Sequence, residues 1–100
     1  MMPLKVDLGP RARRDVFAIW DHIAEDSPRA ADATLRRINK VVQHLAHHPE
    51  TGRPRPELGA EIRSFPAIDS YLVYYRYSTT SLSVLRILHA ARDIKPGLFA

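Results

Sequence analysis

The chain of 100 residues is long enough for one domain around a single core and too short for two ordinary domains. Its hydrophobic content of 45% excludes a wholly disordered protein, and charges interrupt each apolar run before the roughly 18 residues of a membrane helix. The absence of cysteine excludes disulfides, thiolate metal sites and cysteine nucleophiles. We expect a single cytoplasmic domain, residues 1–100, without a secretion signal or a membrane partner.

The net charge of +4 conceals a bias toward arginine. Twelve of the 15 basic residues are arginine, and only Lys5, Lys40 and Lys95 are lysine. The planar guanidinium binds carboxylates, phosphates and aromatic faces, so this composition suits an anionic partner, either nucleic acid or an acidic protein. A genome that encodes arginine freely would produce the same composition.

Two amphipathic helices follow a short strand in the N-terminal half. Alternating apolar and charged residues over 4–8 predict a half-buried strand, which a Gly-Pro pair terminates. Apolar residues at helical spacing then predict a helix over roughly 10–25. The Ser-Pro pair at 27–28 is typical of a new helix start, and its apolar positions continue to His47. The short connection predicts an antiparallel helical hairpin.

The C-terminal half changes to the period of strands. Residues 49–60 contain three prolines and two glycines, which predict a stiff exposed loop. Three strand-like segments follow, over 61–66, 70–77 and 82–89, joined by connections at 66–69 and 78–81. Such short connections make neighbouring strands antiparallel. The tail, about 93–100, is expected to be an irregular arm that is flexible or docks through its Leu-Phe pair.

These elements predict an α+β fold of order β-α-α-β-β-β, with the hairpin on one face of a small, mainly antiparallel sheet. No helix remains to cover the other face. If Tyr77 pairs with Leu82, Arg76 shares a face with Tyr74 while Arg86 lies on the opposite face. A slip of one residue would instead place Arg76 and Arg86 together.

Few residues have the arrangement of a catalytic or metal site. His44 and His48 have a spacing that can bind a metal, but neither an HExxH motif nor an acidic residue one turn away accompanies them. Histidines at a helix C-terminus are favoured by the helix dipole, so we predict no metal and no cofactor. His89 ends a strand, where it could act as a general base or simply form hydrogen bonds.

The acidic residues of the helices are spaced around their surfaces, which favours a solvated face over a catalytic carboxylate pair. This set comprises Asp15, Asp21, Glu25, Asp26 and Asp32. Phosphate-binding glycine loops, nucleophile elbows and zinc motifs are also missing from the sequence. Most standard enzyme chemistries therefore lack their parts in this sequence.

Arginines in the loop and strands are the main candidates for a binding surface, because no helix is left to cover these elements. They are Arg53, Arg55, Arg63, Arg76, Arg86 and Arg92. Any one of them could be an ordinary surface charge, and Arg92 could form a local ion pair with Asp93.

Several short motifs in the C-terminal half occur together and in order: GR-x-x-x-EL from Gly52, R-S-F-P from Arg63, YL-x-x-YR from Tyr71 and LR-x-LH-x-ARD from Leu85. In this order and spacing the chain closely resembles the ParE branch of the ParE/RelE superfamily of toxins from type II toxin–antitoxin modules. The resemblance covers nearly the whole chain and implies the β-α-α-β-β-β fold predicted above.

The resemblance also implies a mode of action. ParE-like toxins bind DNA gyrase and stabilise its cleaved-DNA complex, whereas RelE-like relatives cut mRNA on the ribosome. The resemblance implies a ParD-like antitoxin, a heterotetrameric or larger complex with it, and contact with DNA only through that antitoxin. A module that binds antitoxin but has lost its toxicity is a third alternative.

The two targets assign different roles to the same residues. For a gyrase inhibitor, the six arginines contact the target and no residue is catalytic. For a ribonuclease, His89 with Arg63, Arg76 and Arg86 would form a minimal catalytic set. We favour gyrase, because the loop contains no lysine and the only aromatic residue after His89 is Phe99, which cannot transfer a proton. The sequence does not identify the residues that bind the antitoxin.

Overall fold

The computed structural model describes residues 2–68 and 70–100. Its elements follow the predicted order: β1 (Lys5–Leu8), α1 (Pro10–Ala24), α2 (Pro28–His47), β2 (Arg53–Pro54), β3 (Arg63–Ile68), β4 (Tyr71–Tyr77) and β5 (Ser81–His89). Short 3₁₀ helices occupy Pro49–Thr51 and Pro96–Phe99. The α+β fold class is confirmed.

The helical hairpin forms where the sequence predicts it. Ser27 caps α2, because its hydroxyl accepts the backbone N–H of Ala30 at 3.1 Å. The indole N–H of Trp20 donates to the Asp32 carboxylate at 3.0 Å and joins α1 to α2. Asp32 is therefore a link between the helices as well as a surface charge.

One five-stranded sheet has the order β1-β5-β4-β3-β2. Only β1 pairs in parallel, with β5. The predicted loop contains the two-residue edge strand β2, and β3 runs two residues past the predicted end of that strand, through Pro66 to Ile68. Pro66 has no N–H to donate, and it lies beyond the two residues of β3 that pair with β2 and beside a register shift between Pro66 and Ile68. Asp69, at the end of the predicted 66–69 connection, lies outside the described residues.

The register between β4 and β5 combines both sequence-based alternatives. Tyr77 pairs with Leu82 as in the first alternative. A bulge between the pairs Tyr75–Val84 and Tyr74–Arg86 then shifts the pairing by one residue. Arg86 consequently lies opposite Tyr74. This is the slip that brings Arg86 to the face of Arg76, so the opposite-face alternative is wrong for Arg86.

Both faces of the sheet carry apolar clusters. The larger cluster joins the hairpin to the near face and includes Val73, Tyr75, Val84 and Ile87. The smaller cluster, on the far face, contains Leu58, Ile62, Tyr74 and Leu88, with Ile94, Leu98 and Phe99 packed against it. The far face is thus partly covered by the loop and by the C-terminal arm, which docks with the Phe99 ring 5.1 Å from the Tyr74 ring.

Neither helix within residues 2–68 and 70–100 is long and apolar enough to cross a membrane.

Candidate functional site

Residues 49–62, which we call the basic loop, are attached to the core by the hydroxyl of Tyr75. That hydroxyl donates to the Pro49 carbonyl at 2.7 Å and accepts the Gly52 N–H at 2.8 Å. Tyr75 is fully buried, and burial raises the pKa of its hydroxyl, which keeps the group neutral and able to donate.

Gly52 is needed at this point because the loop backbone passes close to Tyr75. A Cβ atom on residue 52 would lie 2.3 Å from the tyrosine oxygen, well inside van der Waals contact. The glycine of the GR-x-x-x-EL motif therefore permits the attachment.

Arg63 forms a second attachment of the basic loop. One of its terminal nitrogens donates to the Glu50 carbonyl at 3.0 Å and to the Gly52 carbonyl at 2.8 Å. Its guanidinium also lies over the Tyr77 ring, 5.8 Å from the ring centroid. Arg63 is thus largely engaged within the protein.

Arg55 and Arg76 attach the distal part of the loop. Arg55 donates to Glu57 at 2.8 Å and to the Ser64 hydroxyl at 3.2 Å. The hydrogen bond with Glu57 raises the pKa of Arg55 and lowers that of Glu57. Arg76 donates from Nε to the Ala60 carbonyl at 2.7 Å.

Arg53 occupies a different position. It is exposed on β2 and pairs with Ser64, which in turn pairs with Tyr74, so these residues and Arg86 form a row across the far face. Within residues 2–68 and 70–100, the Arg53 side chain makes no hydrogen bond or ion pair.

Arg86 is held inside the protein by Asp15 of α1. Two guanidinium nitrogens donate to the Asp15 oxygens at 2.7 and 2.9 Å, and the Ile87 N–H donates to the same carboxylate at 3.0 Å. Both charged side chains are only 13% exposed, and the pair raises the pKa of Arg86. Arg86 also donates to the Leu98 carbonyl of the arm. The expectation that Asp15 lies on a solvated face is wrong.

His89 and Arg92 lie at the other end of the sheet. His89 pairs with Tyr71 at the start of β4, and its Nδ1 accepts the Ala91 N–H at 3.0 Å. Arg92 is exposed, and Asp93 pairs with Lys95 rather than with Arg92. Five residues of strand, about 16 Å, separate Tyr71 from Arg76. The structure therefore separates His89 from Arg76, whereas Arg92 lines a pocket together with His89.

A separate apolar groove lies on the outer side of the hairpin. Phe17 of α1 is 70% exposed and lines it with Val16, Trp20 and Leu35, around a cavity of about 430 Å³. Among the described residues that line it, Asp21 is the only charged one. An exposed phenylalanine beside such a groove is typical of a protein-binding surface.

The histidines at the end of α2 form no metal site in the described part of the chain. The His44 and His48 rings are 5.2 Å apart, but no group of three or more potential ligands occurs among residues 2–68 and 70–100.

Tyr75 and Asp15 are the residues that sequence reasoning missed. Tyr75 follows an apolar strand pattern, which predicts its buried ring but gives no sign of the bonds its hydroxyl makes. The Asp15 carboxylate meets Arg86 across 71 positions of chain, so no local pattern could reveal it.

A family model described as the ParE toxin of the type II toxin–antitoxin system parDE matches residues 6–94. Toxin RelE2 of Caulobacter vibrioides is 34% identical over 82 residues, covering 82% of this chain and 90% of RelE2. Toxin ParE1 of the same organism is 29% identical over 93 residues, covering 91% and 94% of the two chains. Named relatives therefore include both ParE and RelE toxins.

Two solved structures have the same fold. One is the chromosomal ParDE system from P. aeruginosa, with a TM-score of 0.72 at 22% identity, covering 86% of this chain and 95% of that one. The other is the RelBE2 toxin–antitoxin complex from Mycobacterium tuberculosis, with a TM-score of 0.60 at 24% identity, covering 88% and 99%.

Proposed function

This chain belongs to the ParE toxin family of type II toxin–antitoxin systems, and from that premise we propose that its target is DNA gyrase. The toxin binds gyrase through the arginines of the basic loop and far face and stabilises the cleaved-DNA complex. It contributes no catalytic residue, and a cognate ParD-like antitoxin neutralises it by direct binding.

The separation of His89 from Arg76 is the observation that carries this proposal. A ribonuclease needs its proton-transfer group within reach of the cations that hold the scissile phosphate. Arg76 lies about 16 Å along β4 from the position of His89, and the Arg86 guanidinium is occupied by Asp15. Binding through exposed cations does not require a proton-transfer group close to them.

The two exposed members of the candidate set provide its test. Arg53 and Arg92 have exposed side chains, so replacing them removes charge with little effect on folding. We expect Arg53→Ala and Arg92→Ala to weaken gyrase binding, while Arg37→Ala, an exposed arginine of α2 outside the candidate set, leaves it unchanged.

The first assay incubates purified toxin with gyrase and plasmid and measures supercoiling and cleaved plasmid. Cleaved plasmid that disappears on addition of antitoxin is the expected result. Unimpaired supercoiling by folded toxin would overturn the gyrase target. A parallel assay of mRNA cleavage on ribosomes then tests the RelE-like alternative, with His89→Ala as its first variant.

We propose that the antitoxin covers the hairpin groove around Phe17 and that the sheet edge is its second contact. Two toxin–antitoxin complexes share the fold, which supports an antitoxin as the partner. Phe17→Asp should keep the activity on gyrase but lose reversal by the antitoxin. Retained reversal with unchanged antitoxin affinity would show that the groove is not the contact.

A further inference from the structure

We propose that Tyr75 is a positioning residue for target binding: its buried hydroxyl fixes the orientation of the basic loop and thereby the direction in which Arg53 leaves it. The inference rests on the proposed function. It assigns a role to a residue whose side chain does not reach the surface.

The hydroxyl joins the two ends of one tight turn. It donates to the Pro49 carbonyl, two residues after the end of α2, and accepts the N–H of Gly52, directly before Arg53. Both hydrogen-bonding roles of the oxygen are therefore used on the loop. Because the ring is fully buried in the middle of the sheet, these two hydrogen bonds hold the loop in a fixed position against the core.

Gly52 is held from both sides. Its N–H is bound by Tyr75 and its C=O by Arg63, at 2.8 Å in each case. These two bonds restrict the backbone torsions at the residue that precedes Arg53. The Arg53 side chain has no hydrogen bond or ion pair to a described residue, so its direction is set by its backbone, which Gly52 holds on one side and the pairing with Ser64 on the other.

Tyr75→Phe removes the hydroxyl and keeps the buried ring. The Gly52 N–H and the Pro49 carbonyl then bond to water, and the loop samples other orientations. The loss of these two positioning hydrogen bonds should weaken gyrase binding about three- to tenfold.

Tyr74→Phe is the matched control. Tyr74 is the neighbouring residue of β4 and is also fully buried, but its hydroxyl has no partner among residues 2–68 and 70–100. Removing that hydroxyl should leave gyrase binding within about twofold of the wild type.

A double-mutant cycle separates positioning from general stability. Gyrase affinity is measured for wild type, Tyr75→Phe, Arg53→Ala and the double variant, with each protein's stability measured in parallel. If Tyr75 acts through Arg53, the double variant loses no more affinity than Arg53→Ala alone. Multiplicative losses, or an equal loss in Tyr74→Phe, would overturn the proposal.

Hydrogen exchange of the free toxin distinguishes failure of the positioning from failure of the target. Tyr75→Phe should speed amide exchange within residues 49–54 and leave α1 unchanged. Unchanged exchange in the loop would overturn the positioning role whatever the target is. Faster exchange combined with no gyrase binding by wild-type toxin would overturn the gyrase target and, with it, the assigned role at that target.

Discussion

Arg86→Ala and Asp15→Ala should each strongly destabilise the fold, because each leaves the partner's charge alone in a site that is largely removed from water. The Asp15 carboxylate receives three hydrogen bonds, two from the Arg86 guanidinium and one from the Ile87 N–H. Arg86→Ala removes two of them and keeps the acidic charge. Asp15→Ala leaves both a guanidinium and a backbone N–H without their acceptor.

The expected magnitude follows from the exposure of the pair. Breaking a fully buried ion pair costs about 3–5 kcal/mol, whereas exposed pairs contribute at most about 1 kcal/mol. With each side chain 13% exposed at the edge of β5, water can reach the site, and we expect a loss of about 2–4 kcal/mol. Each kcal/mol lowers the Tm of a chain of this length by about 4–8 °C, so the Tm should fall by about 8–32 °C.

Urea unfolding followed by the fluorescence of Trp20, the single tryptophan, measures this loss. The double variant Asp15→Ala/Arg86→Ala should be at least about 2 kcal/mol more stable than the sum of the single losses predicts. Arg36→Ala, an exposed arginine of α2, should stay within about 0.5 kcal/mol of the wild type. Additive losses, or single losses below about 1 kcal/mol, would refute the reasoning.

Three further variants test the loop attachment and the hairpin. Gly52→Ala should cost about 1–3 kcal/mol in urea unfolding, because its Cβ would meet the Tyr75 oxygen; unchanged stability would show that the loop can move away freely. The raised pKa of Tyr75 stabilises the fold below pH 10, the ordinary value for tyrosine, and this contribution is lost as the pH rises through the folded-state pKa. Stability should therefore fall above pH 10 more steeply in wild type than in Tyr75→Phe, and parallel pH profiles would contradict the assignment. Ser27→Ala should cost about 1 kcal/mol of unfolding free energy through the lost cap at Ala30, whereas Ser27→Asp should retain most of it.

The elements were predictable because their signals are local. Helix periodicity, the Ser27 cap and the proline-rich loop each depend on residues within a few positions of one another. The helices and the cap occur as predicted, whereas the loop also contains the short edge strand β2. The order of elements then follows, since short connections leave few ways to pack a hairpin on a sheet.

The details of the site depend on contacts between distant parts of the chain. The bulge between Tyr74 and Tyr75 shifts the register in mid-strand, where no glycine or proline marks it. The shift turns Arg86 toward the far face, and only the packing of α1 against β5 brings Asp15 to it. Sequence patterns that identify faces by counting residues cannot detect such a shift.

The arginines that interrupt the apolar strands supply hydrogen-bond donors that the loop itself lacks. The three prolines of residues 49–60 have no N–H, and an irregular backbone leaves carbonyl oxygens without backbone partners. The carbonyls of Glu50, Gly52 and Ala60 accept from arginine side chains. A guanidinium has five donors and no acceptor, which suits it to this task.

This internal use of arginine changes how substitutions of the candidate set should be interpreted. Replacing Arg63 or Arg76 releases loop carbonyls, so a loss of target binding in those variants could arise from a displaced loop as readily as from a lost contact. Within the described part of the chain, the side chains of Arg53 and Arg92 make no such hydrogen bond to the protein. A direct contact with the target is therefore best tested at these two positions.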